Sequence, residues 1–313
     1  MSDFGPSSTT DDVLAGLDLS GRRAVITGAS TGLGEETARA LAAHGASITL
    51  AVRDVARGNA AADRIRASVP HADLEVGVLE LASLASVRAF AADFLSRHST
   101  IDMLINNAGI MACPQSTTVD GFELQFGTNH LGHFLLSVLL APALVAGAPS
   151  RLVSLSSYGH VSSDVDLDDW NFERTAYDPF RAYGRAKTAN ALLAVGFQRR
   201  YGDRGVQAFS VHPGGIRTEL GRHMTPEMSA LIAERAAKRA GFGWKTIPQG
   251  AATSVWAATS AQLDGHGGAY LEDCHVSAVT EEKYPTEGVR AYALDGARAD
   301  ALWELSERLV GLA

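Results

Sequence analysis

The sequence predicts a single-domain α/β fold, with a doubly wound parallel sheet of about seven strands and helices on both faces. Two observations lead to this prediction. Short apolar runs alternate with longer helical patterns from residue 22 onward, and a glycine-rich turn joins the first apolar run to the first helix. The 313 residues, 46% of them hydrophobic, are enough for one large core and show no internal repeat or linker.

The alternation predicts six strands and five helices directly. The apolar runs predict strands at 22–27, 46–52, 73–79, 103–106, 151–156 and 205–211. The amphipathic stretches predict helices at 35–44, 55–68, 83–97, 122–145 and 181–201. Because parallel strands need a crossover between them, this order predicts right-handed βαβ units, with ligands bound beyond the carboxyl ends of the strands.

Other segments break this rhythm. Residues 1–18 are polar and acidic, unlike a signal peptide, and we expect them to be mobile, so that the folded domain spans residues 19–313. Residues 163–180 are acidic and aromatic and are expected to form a long loop. Residues 299–312 predict a terminal helix with three leucines on one face: Leu302, Leu305 and Leu309.

Residues 219–247 predict a helical flap over a cleft. Apolar side chains recur there at helical spacing, with two glycines behind them: Leu220, Met224, Met228 and Leu231, then Gly241 and Gly243. The stripe either lines the cleft or packs the flap onto the body of the domain.

Charge and cysteine content argue against several classes of protein. The chain has 27 basic and 35 acidic residues, a net charge of −8 and no basic run, so nucleic acid and anionic membranes are not expected as partners. Cys113 and Cys274 lie far apart without histidines at ligand spacing, which argues against a disulfide framework or a zinc site and indicates a cytoplasmic protein. The longest uncharged stretch, 134–150, contains two prolines and predicts no membrane span.

The turn at 27–34, with the sequence TGASTGLG, predicts a phosphate-binding loop. Glycines allow a tight turn and bring backbone N–H groups close to a pyrophosphate, at a helix N-terminus whose dipole favours anions. A tight turn without a ligand is the alternative. The position directly after the first strand favours dinucleotide binding.

The end of the second predicted strand distinguishes NAD from NADP. An acidic residue there bonds the ribose hydroxyls of NAD, whereas a basic residue accommodates the extra phosphate of NADP. Val52 stands where the acid is expected, Arg53 follows it, and Arg57 lies one turn into the next helix. This pattern favours NADP(H) over NAD(H). In the alternative, Arg53 pairs with Asp54 or Glu36 at the surface.

Further motifs resemble the classical short-chain dehydrogenase/reductases. They are NNAG at 106–109, Asn129, the pair Ser156 and Ser157, YxxxK at 183–187, and a PG turn within 212–218. The resemblance covers residues 19–275. The sequence at 122–134 and the wide spacing between Ser157 and Tyr183 most resemble those of the retinol dehydrogenase and WW-domain oxidoreductase branch, although no WW domain is present. The resemblance implies a Rossmann fold and an oxidoreductase that uses a nicotinamide cofactor.

The same resemblance implies which residues contact the cofactor. They are Gly28, Ser30, Thr31, Gly32, Leu33, Gly34, Arg53, Glu80, Leu81, Asn107, Ala108, Gly109, Tyr183, Lys187, Pro213, Gly214, Ile216 and Thr218. Asn107 is also expected to tie the fourth strand to its neighbour. The sequence departs from the family pattern at Glu80, where many relatives have an aspartate that touches adenine.

Tyr183 and Lys187 are the pair expected to transfer a proton. A carbonyl that accepts a hydride needs a proton, and a free tyrosine titrates near 10. Lys187 follows one helical turn later, so its charge, together with a nearby oxidised nicotinamide, is expected to lower the pKa of Tyr183, and its ammonium group is expected to bond the ribose hydroxyls. Only four of the 27 basic residues are lysines, and Lys187 is the first of them, which argues against an incidental surface lysine.

Two further residues take catalytic roles by resemblance. Ser157 would hold the substrate oxygen by a hydrogen bond, with Ser156 and Ser154 as neighbouring strand-end hydroxyls. Asn129 would bind a water that links Lys187 to solvent. His130 and His133 share a helix face and raise the question of a metal, but no carboxylate or cysteine accompanies them, so we expect ordinary packing and no metal site.

The residues therefore predict an NADP(H)-dependent oxidoreductase that moves a hydride between the cofactor and a carbonyl/alcohol pair. Side chains of the flap, namely Met224, Met228, Leu231 and Trp244, suggest a bulky apolar substrate, with retinoid-, steroid- or polyketide-like molecules as analogies. A catalytically silent NADP(H)-sensing regulator is the alternative, against which Tyr183 and Lys187 argue. A homodimer or homotetramer is expected, through the helices at 122–145 and 181–201.

Overall fold

Ten strands are present in the computed structural model, which describes residues 3–238, 243–283 and 285–313. The strands are β1 (Arg23–Thr27), β2 (Ser47–Val52), β3 (Leu74–Val78), β4 (Met103–Asn106), β5 (Ser150–Leu155), β6 (Val206–His212), β7 (Gly215–Ile216), β8 (Trp244–Lys245), β9 (Tyr270–Glu272) and β10 (His275–Val276). Eight of them form the central sheet, in the order β10-β9-β6-β5-β4-β1-β2-β3, and β7 pairs with β8 separately. Only the β9–β10 pairing in the central sheet is antiparallel, which confirms the predicted doubly wound sheet of about seven parallel strands.

Helices cover both faces of this sheet. They are α1 (Thr10–Leu14), α2 (Gly32–Ala43), α3 (Val55–Ser68), α4 (Leu84–Arg97), α5 (Leu124–Phe126), α6 (Gly132–Ala146), α7 (Pro179–Tyr201), α8 (Pro226–Ala237), α9 (Ile247–Thr259) and α10 (Gly296–Leu309). Apolar side chains of α1, α2, α3 and α9 fill one core, and those of α4, α6, α7 and α10 fill the other. Buried strands such as β1, with the sequence RAVIT, supply both cores because their two faces are covered.

The order of the strands reverses between β1 and β4. From β1 the chain runs outward through β2 and β3, and from β4 it runs outward through β5 and β6 on the other side. A reversal of this kind leaves a crevice at the carboxyl ends of the two central strands, where ligands of such sheets bind. Thr27 and Asn106 are the last residues of β1 and β4, so the crevice lies between the glycine turn and the NNAG segment.

The helix from Leu124 to Ala146 is continuous, because a π-helical turn at Gly127–Leu131 joins α5 to α6. Its 23 residues are long and apolar enough to cross a membrane by length and composition, with a mean hydropathy of 1.5, and no other helix in the described ranges meets that test. The apolar segment therefore begins at Leu124, before the stretch 134–150 from which we predicted no membrane span. However, 72% of its most apolar window is buried inside the protein, where α6 packs against α4, so it serves as a core helix.

The face of α7 is covered by the chain itself. All residues from Ala182 to Phe197 are buried, and α10 packs along α7 with Trp303 edge-on to Phe134, the ring centroids 4.9 Å apart. We expected a four-helix interface between subunits, formed by the helices at 122–145 and 181–201. The part of α7 from Ala182 to Phe197 has no exposed face that could contribute to it. The apolar side chains that would form it are already buried within one chain.

Two regions differ from the sequence-based expectations. Within the segment 1–18, which we expected to be mobile, Thr10–Leu14 forms α1 and packs against α9, with Leu14 fully buried. The Thr10 hydroxyl also bonds the carboxylate of Glu36 on α2 at 2.5 Å. In addition, α9 and β9 have no counterpart among the predicted elements. Of the expected flap 219–247, residues 239–242, including Gly241, lie outside the described residues.

Candidate active site

The glycine turn between β1 and α2 forms a close-packed cradle at the central crevice. Gly28 and Gly32 have φ angles of +67° and +60°, which side chains other than glycine rarely adopt. A Cβ atom on Gly28 would lie 2.9 Å from Ala108, and one on Gly34 would lie 2.5 Å from the Asn107 amide nitrogen. Among the described residues, the Thr31 side chain makes no capping bond, so the first N–H groups of α2 remain available to an anion.

The turn after β6 closes this cradle from the other side. A Cβ atom on Gly250 of α9 would lie 2.5 Å from Ile216 and 2.9 Å from Leu33, so these two side chains are neighbours. Thr218 likewise lies against Gly32, 3.6 Å from a Cβ built there. The structure thus brings together predicted cofactor contacts that lie far apart in the sequence.

The remaining predicted contacts lie around the same crevice. The Asn107 amide donates to the carbonyl oxygen of Thr27 at 2.8 Å and ties β4 to β1, as expected. Pro213 and Gly214 form the half-buried turn between β6 and β7. Glu80 is half-buried and accepts a bond from the Ala82 amide, and the side chain of its neighbour Leu81 is buried in the core.

A groove of about 350 Å³ opens beside the N-terminus of α2. It is lined by Ser30, Thr31, Glu35, Arg57, Ala60, Arg64 and Glu219. Arg57 and Glu219 form an ion pair of 2.7 Å across it, and Arg64 pairs with Glu35 at the same distance. Sequence reasoning missed Arg64, although it follows Arg57 by two helical turns and therefore lies on the same face of α3.

Arg53 lies at the end of β2 with 70% of its side chain exposed. Its ionic neighbour is Glu80, 3.6 Å away, rather than Asp54 or Glu36. Asp54 caps α3, and Glu36 pairs with Arg39. Arg53 is thus held only loosely, because an exposed pair at this distance contributes little.

Tyr183 and Lys187 lie one turn apart on α7, both almost fully buried. The Nζ atom of Lys187 is 5.6 Å from the centre of the Tyr183 ring and donates to the carbonyl oxygen of Leu155 at 2.8 Å. The Tyr183 hydroxyl hydrogen-bonds Ser157, which lies just after β5. A tyrosine, a serine and a lysine therefore meet at the carboxyl edge of the sheet, beside the glycine cradle.

The structure distinguishes the three candidate serines. Ser157 is the serine whose side chain hydrogen-bonds the Tyr183 phenol. Its hydroxyl oxygen also accepts from the Gly159 amide at 3.1 Å. The Ser156 hydroxyl donates to the carbonyl oxygen of Lys187 at 2.8 Å, which anchors β5 to α7. Ser154 is buried within the sheet.

Asn129 lies in the π-helical turn, and its side chain holds the segment after β4. Its Oδ1 accepts from the Ile110 amide and its Nδ2 donates to the Ile110 carbonyl, both at 2.9 Å. A Cβ built on Gly109 would lie 3.4 Å from this Oδ1 and 3.6 Å from Nζ of Lys187, so Asn129 and Lys187 flank Gly109. The side chain of Asn129 is thus occupied by the backbone of Ile110, the residue directly after the NNAG segment.

Comparison with known proteins agrees with this arrangement. The short chain dehydrogenase family model matches residues 22–229. The short-chain dehydrogenase/reductase prx1 of Penicillium roqueforti is 42% identical over 298 residues, covering 92% of this chain and 84% of that protein. Human retinol dehydrogenase 13 is 40% identical over 294 residues, covering 94% of this chain and 86% of that protein.

The chain belongs to the short-chain dehydrogenase family. Among solved structures it is similar to a gluconate 5-dehydrogenase from Burkholderia cenocepacia in complex with NADP and tartrate, with a TM-score of 0.64, 27% identity, and coverage of 82% of this chain and 94% of that one. These findings confirm an oxidoreductase of the retinol dehydrogenase-like branch that uses a nicotinamide cofactor. The glycine cradle and the open N-terminus of α2 fit the pyrophosphate of such a cofactor.

Burial dominates the electrostatics of this short-chain dehydrogenase. In the ligand-free chain, burial raises the pKa of Tyr183 to about 12, and the hydrogen bond from Ser157 only partly opposes this shift. Burial also lowers the pKa of Lys187 to about 8. Without a ligand, therefore, both groups are held toward their neutral forms, because charge is costly in a buried site.

The flap of this dehydrogenase begins at the edge of the groove. Leu220 lies near Gly109, 3.9 Å from a Cβ built there, so the segment reaches the site. Along α8 the expected apolar stripe is not buried: Met228 is half-buried, Leu231 is 36% exposed, and Trp244 in β8 is 47% exposed. This stripe therefore does not pack the flap tightly onto the body of the domain.

The two neighbouring histidines pack in different places. His130 lies between the rings of Phe126 and Phe134 and bonds the Ser306 hydroxyl of α10 at 2.9 Å. His133 is fully buried and bonds Thr27 and Asn129. Within the described ranges, no three His, Cys, Asp or Glu side chains are grouped so that they could hold a metal ion.

Proposed function

We propose that this short-chain dehydrogenase is a cytoplasmic NADP(H)-dependent enzyme that interconverts a carbonyl and an alcohol on a bulky apolar substrate. The observation that carries the proposal is the meeting of Tyr183, Ser157 and Lys187 beside the glycine cradle. The bound nicotinamide supplies or accepts the hydride. Tyr183 donates its hydroxyl proton to the carbonyl oxygen as the carbon gains the hydride, and it takes the proton back in the reverse direction.

Neighbouring side chains assist this proton transfer. Ser157 donates a hydrogen bond to the same oxygen, which orients it and stabilises the negative charge that develops on it. Lys187, buried one turn from Tyr183, favours the phenolate whenever it carries its proton. Asn129 holds the NNAG backbone beside Lys187 and belongs to the path that returns a proton from solvent.

Three arginines support the preference for NADP(H). Arg53 is exposed at the end of β2, and Arg57 and Arg64 line the groove beside the N-terminus of α2. Guanidinium groups bind phosphate through paired, charge-assisted hydrogen bonds. Val52, at the position of the NAD-binding acid, has no charge to repel a phosphate. The similar gluconate 5-dehydrogenase was solved with NADP.

The exposed apolar stripe of the flap supports the choice of substrate. Met228, Leu231 and Trp244 present apolar surface that the domain itself does not bury. Large apolar side chains left exposed beside a cleft are typical of binding surfaces for apolar ligands. Retinoid- and steroid-like ketones or alcohols are therefore the first compounds to try.

The test is a paired titration with NADPH and NADH, followed by a panel of carbonyl compounds on the wild type and on Tyr183→Phe. Since the substitution removes the transferable proton and keeps the ring, we expect unchanged NADPH binding and a turnover lower by about 10²–10⁴-fold. A variant that stays nearly as fast would show that another residue supplies the proton. Tight NADPH binding without turnover of any compound would instead support the sensing regulator.

A further inference from the structure

One buried histidine links the two halves of the site. His133 lies on α6 and is fully buried. Its Nε2 is 2.8 Å from the hydroxyl of Thr27, the last residue of β1, and its Nδ1 is 2.9 Å from the carbonyl oxygen of Asn129. The imidazole thus bridges the start of the cofactor-binding turn and the π-helical turn that carries Asn129.

The partners determine the tautomer of this imidazole. A carbonyl oxygen only accepts hydrogen bonds, so Nδ1 must carry the proton that it donates to Asn129. In the neutral ring Nε2 is then an acceptor, and the Thr27 hydroxyl donates to it. The hydroxyl oxygen itself accepts from the Ala108 amide at 2.9 Å. A directed chain of hydrogen bonds therefore runs from Ala108 through Thr27 and His133 to Asn129.

The surroundings keep His133 neutral. Burial is the main cause that lowers the pKa of His133, to about 4; the bond to Asn129 opposes this shift, and the charge of Lys187 adds to it. A neutral imidazole is required here, because a protonated ring would present a donor to the Thr27 hydroxyl in place of the acceptor. The chain of bonds thus keeps one direction across the usual working range of pH.

We propose that His133 is a positioning residue, which sets the place of Asn129 relative to the cofactor-binding turn and thereby aligns the proton-transfer side of the site. The inference rests on the proposed function and adds to it a residue that does not touch the substrate. The side-chain amide of Asn129 bonds both the N–H and the carbonyl oxygen of Ile110. Gly109 lies between Asn129 and Lys187. A shift of Asn129 therefore moves the backbone at Gly109, which lies beside the ammonium group of Lys187.

The bond between Thr27 and His133 also fixes the position of α6 relative to the cofactor-binding turn. Thr27 precedes Gly28, and the Asn107 amide donates to its carbonyl oxygen at 2.8 Å. Its side chain and its backbone thus hold both the NNAG segment and α6. Such fixed supporting contacts matter because catalytic groups must be held within fractions of an ångström of their productive geometry.

The first experiment needs no turnover. In ¹⁵N-histidine NMR spectra of the cofactor-free protein, with His133 assigned from the signals lost in His133→Asn, we expect a protonated Nδ1 and an unprotonated Nε2 from pH 5.5 to 8. Thr27→Val should shift the Nε2 signal, whereas Thr27→Ser should restore it. An Nε2–H tautomer, or titration of this ring near pH 6.5, would overturn the assignment of the bonds.

The second experiment separates positioning from packing. His133→Phe fills the volume without either bond, and we expect kcat to fall about 10–100-fold with KM for the carbonyl compound within threefold. His133→Asn restores a donor at the Nδ1 position, and we expect it to recover at least half of that loss on a logarithmic scale. His130→Asn, a buried histidine bonded to Ser306, is the matched control and should leave kcat within threefold.

A double-mutant cycle completes the test. Because Thr27 and His133 belong to one chain of bonds, the variant Thr27→Val/His133→Phe should lose little more kcat than the worse single variant. Additive losses, or equal losses for His133→Phe and His133→Asn, would show that His133 acts only through packing. If the wild type turns over no carbonyl compound, the proposed function fails, while the NMR spectra still decide whether the bonded chain exists.

Discussion

The ammonium group of Lys187 lies 5.6 Å from the centre of the Tyr183 ring and donates to the carbonyl oxygen of Leu155. The same oxygen accepts a second hydrogen bond from the Asn190 amide at 2.9 Å. Lys187 is thus a buried cation beside a buried phenol, and the backbone bond only partly replaces the water it has lost. In the proposed function this pair transfers the proton, and its burial is costly to the stability of the fold.

The cost of burying Lys187 can be measured as a function of pH. The pKa of Lys187 is lowered from 10.5 to about 8 in the folded chain, so its penalty is fully present below pH 8 and disappears as pH rises through 10.5. Lys187→Met removes the charge, and Leu155 keeps its bond from Asn190. We expect the ligand-free variant to be more stable than the wild type by ~1–3 kcal/mol at pH 7, with the difference shrinking to below ~1 kcal/mol at pH 10.

Urea unfolding at pH 7 and pH 10 provides this measurement. Asn190→Ala, which removes the other bond to Leu155, is the control and should destabilise the protein by about 1 kcal/mol at either pH. A Lys187→Met protein that is less stable than the wild type at pH 7 would show that the ammonium group stabilises the fold.

The serines of the strand end should separate catalysis from stability. Ser157→Ala removes the hydroxyl that bonds Tyr183, and we expect kcat to fall by about 10²–10³-fold with little change in unfolding. Ser156→Ala removes the bond to the carbonyl oxygen of Lys187, and we expect it to cost about 1 kcal/mol of stability with kcat within tenfold. Steady-state kinetics and urea unfolding on both variants decide, and the opposite pattern would assign the catalytic role to Ser156.

The arginine at the end of β2 should set the choice of cofactor. Because a charge-assisted bond to phosphate is worth about 1.5–3 kcal/mol, Arg53→Ala should weaken NADPH binding by about 10–100-fold and leave NADH within twofold. Arg66→Ala, on the same helix as Arg57 but bonded to the carbonyl oxygen of Leu74, is the matched control. Isothermal titration with both cofactors is the measurement, and equal losses for NADPH and NADH would contradict a phosphate contact.

Substitution of two tryptophans should affect stability to very different extents. Trp303 of α10 is buried against Phe134 and Phe197, so Trp303→Ala should lower the free energy of unfolding by about 3–5 kcal/mol. Trp244 in β8 is 47% exposed, so Trp244→Ala should change stability by less than about 1 kcal/mol. The same Trp244 variant should raise KM for bulky ketones more than for small ones. Equal KM changes across the panel would remove Trp244 from the substrate surface.

The cover that α10 places over α7 also predicts how copies of the chain associate. Since Ala182–Phe197 is buried within one chain, any dimer should form without this stretch of α7. A spin label can be placed on the exposed Arg199, at the end of α7, and the distance between the labels of two subunits measured by double electron–electron resonance. We expect this distance to be longer than the distance between adjacent helices. A short distance between the two labels would show that α10 moves aside and the four-helix interface forms.

Local patterns in the sequence were sufficient for the fold class and for most of the residues that meet at the candidate site. Alternating apolar and amphipathic segments require a parallel sheet with crossover helices, and the glycine turn, the NNAG segment and the YxxxK spacing each report a local backbone or helix geometry. The helix at 55–68 and the strand at 103–106 have the predicted bounds because Asp54 caps one and neighbouring loops delimit the other.

Only the tertiary structure decided how those local pieces act on one another. Burial, which depends on everything packed around a group, raises the pKa of Tyr183 in the ligand-free chain, and packing places His133 between Thr27 and Asn129. The docking of α10 on α7 and of α1 on α9 depends on contacts between residues far apart in the chain, which no periodicity records. The sequence by itself thus determined the elements and the groups proposed to react, because both depend on local spacing, and packing decided their charges, their supports and the surfaces left exposed.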